Sequence, residues 1–162
     1  MACEPAVECG NPGVMSDNAK TNESKPRNFM MKPDEQPPFA SFMGMKILEV
    51  SPERVVGELV VTENLTNRNG VLHGGALMAF ADNLGGTAAT ANLSAAGGST
   101  ATIESKTNFF AGIPAGDVAR AECMPLHRGR TTTVWQTRIT RGDGKLAAIV
   151  TQTQLMMSKP GT

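Results

Sequence analysis

The first residue with chemical content is Asp82, which sits between Ala81 and Asn83 in a run of small apolar residues, Gly74 to Leu93. A carboxylate facing a core is costly unless it is paired or functional. Its functional use would be as a nucleophile on an acyl carbonyl, or as a general base that activates water. It could instead cap a loop or bind a backbone amide. The second feature is His73-Gly74-Gly75, where that run begins. The first N–H groups of a helix lack internal acceptors and lie at the positive end of its dipole. Gly74 would leave such a donor open to a developing oxyanion. The competing reading is a glycine-rich loop with a capping histidine. The third feature is His127-Arg128-Gly129-Arg130-Thr131, the densest local cationic spot. Arginine beside exposed backbone N–H suits a phosphate, and a solvated turn is the alternative.

These groups must be positioned by their elements. Residues 1–38 mix Pro, Asn, Ser, Glu and Lys without period and read as a tail, leaving 39–162 as one domain. Phe39–Met43 predicts one or two helical turns. Met45–Val50 and Arg54–Val61, separated by Ser51-Pro52-Glu53, predict a hairpin. Residues 62–73 form a loop. The Ala-rich run from Gly74 to Leu93 is apolar nearly all round, which predicts a buried helix. Gly85 and Gly86 weaken that helix and permit close approach by a sheet, and Ala95-Ala-Gly-Gly-Ser99 is expected to end it. Four strands follow, Thr100–Phe109, Asp117–Pro125, Thr131–Arg141 and Lys145–Met157, the last two joined by Arg141-Gly-Asp-Gly144. The order ββαββββ implies an α+β architecture, with one helix against a long antiparallel sheet. Simple alternation over 100–109 puts Thr102, Glu104, Lys106 and Asn108 on one face. Thr102 is then placed to orient Asp82 or hold a water.

Eight residues separate Gly74 from Asp82, or about 12 Å along a helix axis. One carbonyl must lie within about 3–3.5 Å of its attacker, so the two groups of one chain cannot easily serve the same carbonyl. Antiparallel copies of the helix would bring Gly74 of one chain toward Asp82 of the other, which predicts a two-fold dimer with shared sites.

Bulk composition narrows the alternatives. The formal net charge is 0 and aromatics are 4%, without tyrosine, which argues against nucleic acid as a partner. Three cysteines, Cys3, Cys9 and Cys123, do not make a disulfide framework. Two histidines without a CxxC or HxxxH pair make a metal site unexpected. The sequence has no Ser-His-Asp set, P-loop or dinucleotide fingerprint. With neither a secretory pattern nor a long apolar run, the expected location is cytoplasmic, away from the membrane.

Asn67-x-x-Gly70-x-x-His73-Gly74-Gly75, then Asp82-Asn83, then Thr102-x-Glu104-x-x-x-Asn108-Phe109 resembles the PaaI-type hotdog-fold thioesterases, relatives of phenylacetyl-CoA and 4-hydroxybenzoyl-CoA thioesterases, over residues 40–157. The resemblance implies a hotdog fold, an antiparallel sheet wrapped around a long central helix. It implies hydrolysis of an acyl-CoA or aryl-CoA at sites shared in a homodimer, paired again into a homotetramer, with no cofactor beyond the substrate's own CoA. By motif, Asp82 is the nucleophile or base and Gly74 N–H the oxyanion donor. His73 and Asn67 line the thioester side, and Thr102 orients water, with Thr100 as the alternative register. Gly75 and Asn83 are expected at the substrate, and Arg128, Gly129, Arg130 and Thr131 at the CoA nucleotide. Two other functions compete on this fold. A non-catalytic acyl-CoA sensor usually carries a fused DNA-binding module, for which the tail is too poor in apolar residues. A hydratase would pair its Asp with a His five residues away on the helix, and none follows Asp82.

Overall fold

The computed structural model describes residues 35–93 and 97–158. The elements in chain order are α1 (Pro38–Met43), β1 (Met45–Val50), β2 (Val55–Val60), a single 3-10 turn at Glu63–Leu65, α2 (Gly74–Ala91), β3 (Ser99–Phe109), β4 (Val118–Arg128), β5 (Thr132–Thr140) and β6 (Leu146–Met157). The six strands form one sheet in the order β1-β2-β4-β5-β6-β3, and every neighbouring pair is antiparallel. This is the expected α+β hotdog arrangement. Most of the proposed tail, with Cys3, Cys9 and the expected helix terminator Ala95-Ala96, lies outside the described residues.

The core forms where one face of the sheet meets α2. Phe80, Leu84 and Ala88 of the helix pack into one cluster with Leu59, Trp135, Ile139 and Val150 of the strands, all fully buried. Burying each large side chain of this kind stabilises the fold by about 1.5–3 kcal/mol. The Trp135 indole N–H is satisfied inside the core by Thr133 Oγ1 at 2.8 Å.

Three sequence expectations are corrected. First, α2 is not buried all round. Leu77, Phe80, Ala81 and Leu84 are covered, but Gly75, Met78 and Asp82 form an exposed flank. The sheet covers the helix on one side and ends at β3, so among the described residues this flank stays exposed. Asp82 is therefore exposed rather than core-facing. Second, α2 ends at Ala91, before the glycines. Asn92 Nδ2 donates to Ala88 O at 2.8 Å and to Pro52 O at 3.1 Å, closing the helix end with a side chain. Third, β4 runs through Pro125 to Arg128 instead of stopping there. The register between β4 and β5 shifts between Pro125 and His127, and a bulge is where a strand tolerates a residue with no N–H.

Candidate active site

The loop before α2 is held by its own backbone. Asn67 and Gly70 close a turn (Gly70 N–H to Asn67 O, 3.0 Å) in which Gly70 adopts φ +71°, a conformation glycine takes without strain. Asn67 Oδ1 accepts from Asn69 N–H at 2.8 Å, so half of its amide is spent on the turn and its NH2 group remains for other contacts. Asn67 N–H donates to Val71 O, Leu72 N–H to Ile113 O and His73 N–H to Leu65 O. His73 thereby arrives as the N-cap of α2, and its Nδ1 accepts from Gly75 N–H at 2.9 Å. A ring that accepts at Nδ1 carries its proton at Nε2 when neutral. The capping-histidine reading and the open-donor reading thus both find support. Gly75 N–H is used by the cap, whereas Gly74 N–H has no acceptor among the described residues.

Gly74 also packs closely. A Cβ there would lie 3.3 Å from Phe109 Cζ, so the ring rests on the glycine. The two residues help line a groove of about 420 Å³ together with Asn67, Leu77 and Phe110. On the other side of the helix start, His73 and Gly75 border a smaller hollow, of about 270 Å³, with Phe39 and Phe42 of α1.

Two turns along α2, Asp82 meets the sheet. Its Oδ1 accepts from Thr102 Oγ1 at 2.8 Å and from Gln152 Nε2 at 2.8 Å. Thr102 Oγ1 in turn accepts from Gln154 Nε2 at 2.7 Å. Both bonds to the carboxylate fall on one oxygen, and Oδ2 has no donor among the described residues. Thr102 reaches Asp82 because β3 is irregular. The register with β6 shifts between Thr102 and Glu104, so Thr102 pairs with Gln154, Glu104 with Thr153 and Ser105 with Gln152. Gln152 and Gln154 face the helix, so Thr102 and Ser105 face it too, and Glu104, Lys106 and Asn108 point away. This corrects the face assignment drawn from simple alternation: the extra residue at Ile103 resets the phase.

The structure thus brings Asp82 and Thr102 together, and it places His73, Gly74 and Asn67 at the far end of the same helix. Asn83 turns elsewhere, its Nδ2 donating to Gln36 Oε1 at 3.0 Å. The 128–131 turn lies at the Asp82 end of the sheet, because Thr133, Gln154 and Thr102 form one row across β5, β6 and β3. Arg128 is engaged there in a two-bond ion pair with Glu53. Arg130 is exposed and has no partner among the described residues. Gly129 closes the turn through its N–H to Thr132 O at 2.9 Å, and Thr131 O accepts from Met156 N–H at 2.8 Å.

Sequence reading missed Gln152 and Gln154. The signal was present: in Ala148-Ile-Val-Thr-Gln-Thr-Gln154 both glutamines alternate in phase with Ala148 and Val150, the core-facing positions. A polar residue in phase with a buried face requires a partner.

Residues 69–148 match the family described as the thioesterase superfamily. The Mycobacterium tuberculosis protein Rv1847, named as a presumptive esterase, is 34% identical over 113 residues, 68% of this chain and 80% of that protein. Its solved structure superposes with a TM-score of 0.73 over 76% of this chain and 98% of that one, at 29% identity. A mutant of the thioesterase PA1618 of Pseudomonas aeruginosa gives a TM-score of 0.70 at 26% identity, over 75% and 86% of the two chains. A protein of Streptococcus pneumoniae, described as a hypothetical thioesterase and solved with coenzyme A, gives 0.66 at 25% identity, over 71% and 87%.

Proposed function

The chain belongs to the thioesterase superfamily, and on that premise we propose that it hydrolyses the thioester of an acyl- or aryl-CoA to the free acid and CoA, with Asp82 as its reacting carboxylate. One observation carries this reading: a carboxylate on an exposed helix flank is held through Oδ1 by Thr102 and Gln152, while Oδ2 has no donor among the described residues. In the reaction, Oδ2 either attacks the carbonyl carbon or takes a proton from the water that does. The carbonyl oxygen gains charge and needs a donor, which Gly74 N–H supplies at a helix start. The C–S bond then breaks, and the CoA thiolate takes up a proton; where Oδ2 has itself attacked, the acyl group is left on Asp82 as a mixed anhydride, which water hydrolyses to release the free acid and restore the carboxylate.

Gly74 and Asp82 lie roughly 12 Å apart along one helix, so each site takes Gly74 from one subunit and Asp82 with Thr102 from its partner in a homodimer. The exposed flank Gly75–Met78–Asp82 and the open edge of β3 are the surfaces such a partner would cover. A homotetramer of two such dimers, and a cytoplasmic location, belong to the same reading. The solved relative holding coenzyme A supports a CoA thioester as the substrate class. Asn67 and His73 then lie beside the thioester, with Gly75 close to the substrate, and the 128–131 turn is assigned to the nucleotide.

The test is turnover of a panel of acyl- and aryl-CoA thioesters, read by release of free thiol. Asp82→Asn should lose about a hundredfold to ten-thousandfold in rate while retaining substrate binding. If the wild-type chain binds members of the panel without turning any over, it is an acyl-CoA sensor and not a hydrolase.

A further inference from the structure

We infer that Gln152, seated in a notch at Gly85, is a positioning residue that fixes which oxygen of Asp82 can react. The inference rests on the reading of Asp82 as the reacting carboxylate.

Gln152 is fully buried on the helix-facing side of β6. Its carboxamide spans three helix positions. At one end Nε2 donates to Asp82 Oδ1 at 2.8 Å. At the other end Oε1 lies only 2.2 Å from where a Cβ on residue 85 would be, so the amide fits only because residue 85 is glycine. Residues three apart share a helix face, which is how one side chain touches both. Gly86, next along, has nothing within 4 Å of its notional Cβ. The close approach of sheet and helix is therefore specific to Gly85.

The donors run in one direction. Gln154 Nε2 donates to Thr102 Oγ1, which leaves the Thr102 proton for Asp82 Oδ1. A flipped Gln152 amide would set its oxygen against the carboxylate, so the ionised form of Asp82 selects the orientation seen. The cost is borne elsewhere: the Oε1 atoms of Gln152 and Gln154 are buried without a hydrogen-bond partner among the described residues. Buried acceptors are ordinarily satisfied, and exceptions gather where polar groups serve chemistry. Two donors on Oδ1 hold the carboxylate plane and leave Oδ2 as the oxygen presented to substrate or water.

The test is a set of variants assayed on the best substrate from the panel. Gln152→Met keeps length and removes the donor. Gly85→Ala fills the notch and displaces the amide. Each should lower kcat by about tenfold to a hundredfold, the effect of small misplacement of a reacting group, and leave KM within about twofold. Because both act on one hydrogen bond, the double variant should lose little more than either single one. Gln154→Met, which releases Thr102 alone, should lower kcat less, with KM unchanged, and it provides a reading if Gly85→Ala folds poorly. Wild-type kcat in Gln152→Met, or multiplicative losses in the double variant, overturns the inference. The two failures are separable: an active Asp82→Asn removes Asp82 as the reacting carboxylate, whereas an inactive Asp82→Asn beside a fully active Gln152→Met removes only the positioning role.

Discussion

The imidazole of His73 turns forward onto the backbone of Gly75, Nδ1 accepting its N–H at 2.9 Å, so the residue that precedes the glycine pair also caps the helix. A cap of this kind contributes about 1 kcal/mol. His73→Ala should lower the stability of the domain by that amount, read from the urea midpoint, and His73→Asn should restore most of it because its side-chain oxygen can accept the same proton. A wild-type midpoint in His73→Ala would show that the cap contributes nothing.

Gly74 offers a clean way to remove one donor. It is the first residue of α2, where proline is well tolerated because the N–H has no helical partner. His73 before it has φ −62° and ψ 135°, a conformation compatible with a following proline. Gly74→Pro should keep the fold, with a small adjustment of the Phe109 ring, and lose about a hundredfold or more in kcat. Mixed with Asp82→Asn chains and allowed to exchange subunits, it should recover roughly a quarter of wild-type activity, because half the dimers are mixed and one of their two sites is intact. Recovery at background level would rule out sites shared between subunits.

The two arginines of the 128–131 turn should behave differently. Arg128 is already paired with Glu53, whereas Arg130 is exposed and has no partner among the described residues. Arg130→Ala should raise KM for a CoA thioester about two- to fivefold, within the range of an exposed ion pair, and leave KM unchanged for a pantetheine thioester that lacks the nucleotide. Arg128→Ala should change neither. Equal effects from both variants would mean that the Glu53 pair opens to the ligand.

Much of this architecture is legible in the sequence, and where reading fails it fails for local reasons. The β1–β2 hairpin, the long helix and four further strands follow from periodicity and turn residues. Pro125 misleads because a proline inside a strand ordinarily ends it, and no sequence rule announces the bulge that accommodates it. Ile103 misleads in the same way: one inserted residue reverses the faces of everything before it, so alternation cannot show that Thr102 and Glu104 point oppositely. Asp82 itself stands out from its apolar neighbours, but its exposure depends on where the sheet stops, a property of strand order. Gln152 is legible as a buried polar residue from its phase with Ala148 and Val150, but what it does depends on the glycine opposite, which only the fold brings to it.

Cys123 allows a prediction about pH. Burial pushes its thiol up from 9.0 to about 11, partly offset by Thr137. The unfolded thiol ionises first as pH rises, so the unfolded state binds fewer protons above pH 9.0 and stability falls through the window between the two values. Integrated over that window, the loss is roughly 2–3 kcal/mol. The urea midpoint of the wild type should therefore fall more steeply from pH 9 to 11 than that of Cys123→Ala. Parallel curves for the two proteins would show that the buried thiol is not the group responsible.

The open edge of β3 carries a consequence for how this protein behaves on dilution. The strand Ser99–Phe109 pairs with β6 on one side and, among the described residues, with no strand on the other. Ile103 and Phe109 on that strand are more than half exposed. Such an edge is a template for another chain. If the partner is a second copy, folding and association are linked, and the melting temperature becomes a function of protein concentration. The chain would then be least stable when newly made and scarce, with an unpaired strand open to wrong partners, and would become secure only once enough copies have accumulated to close each other's sheets.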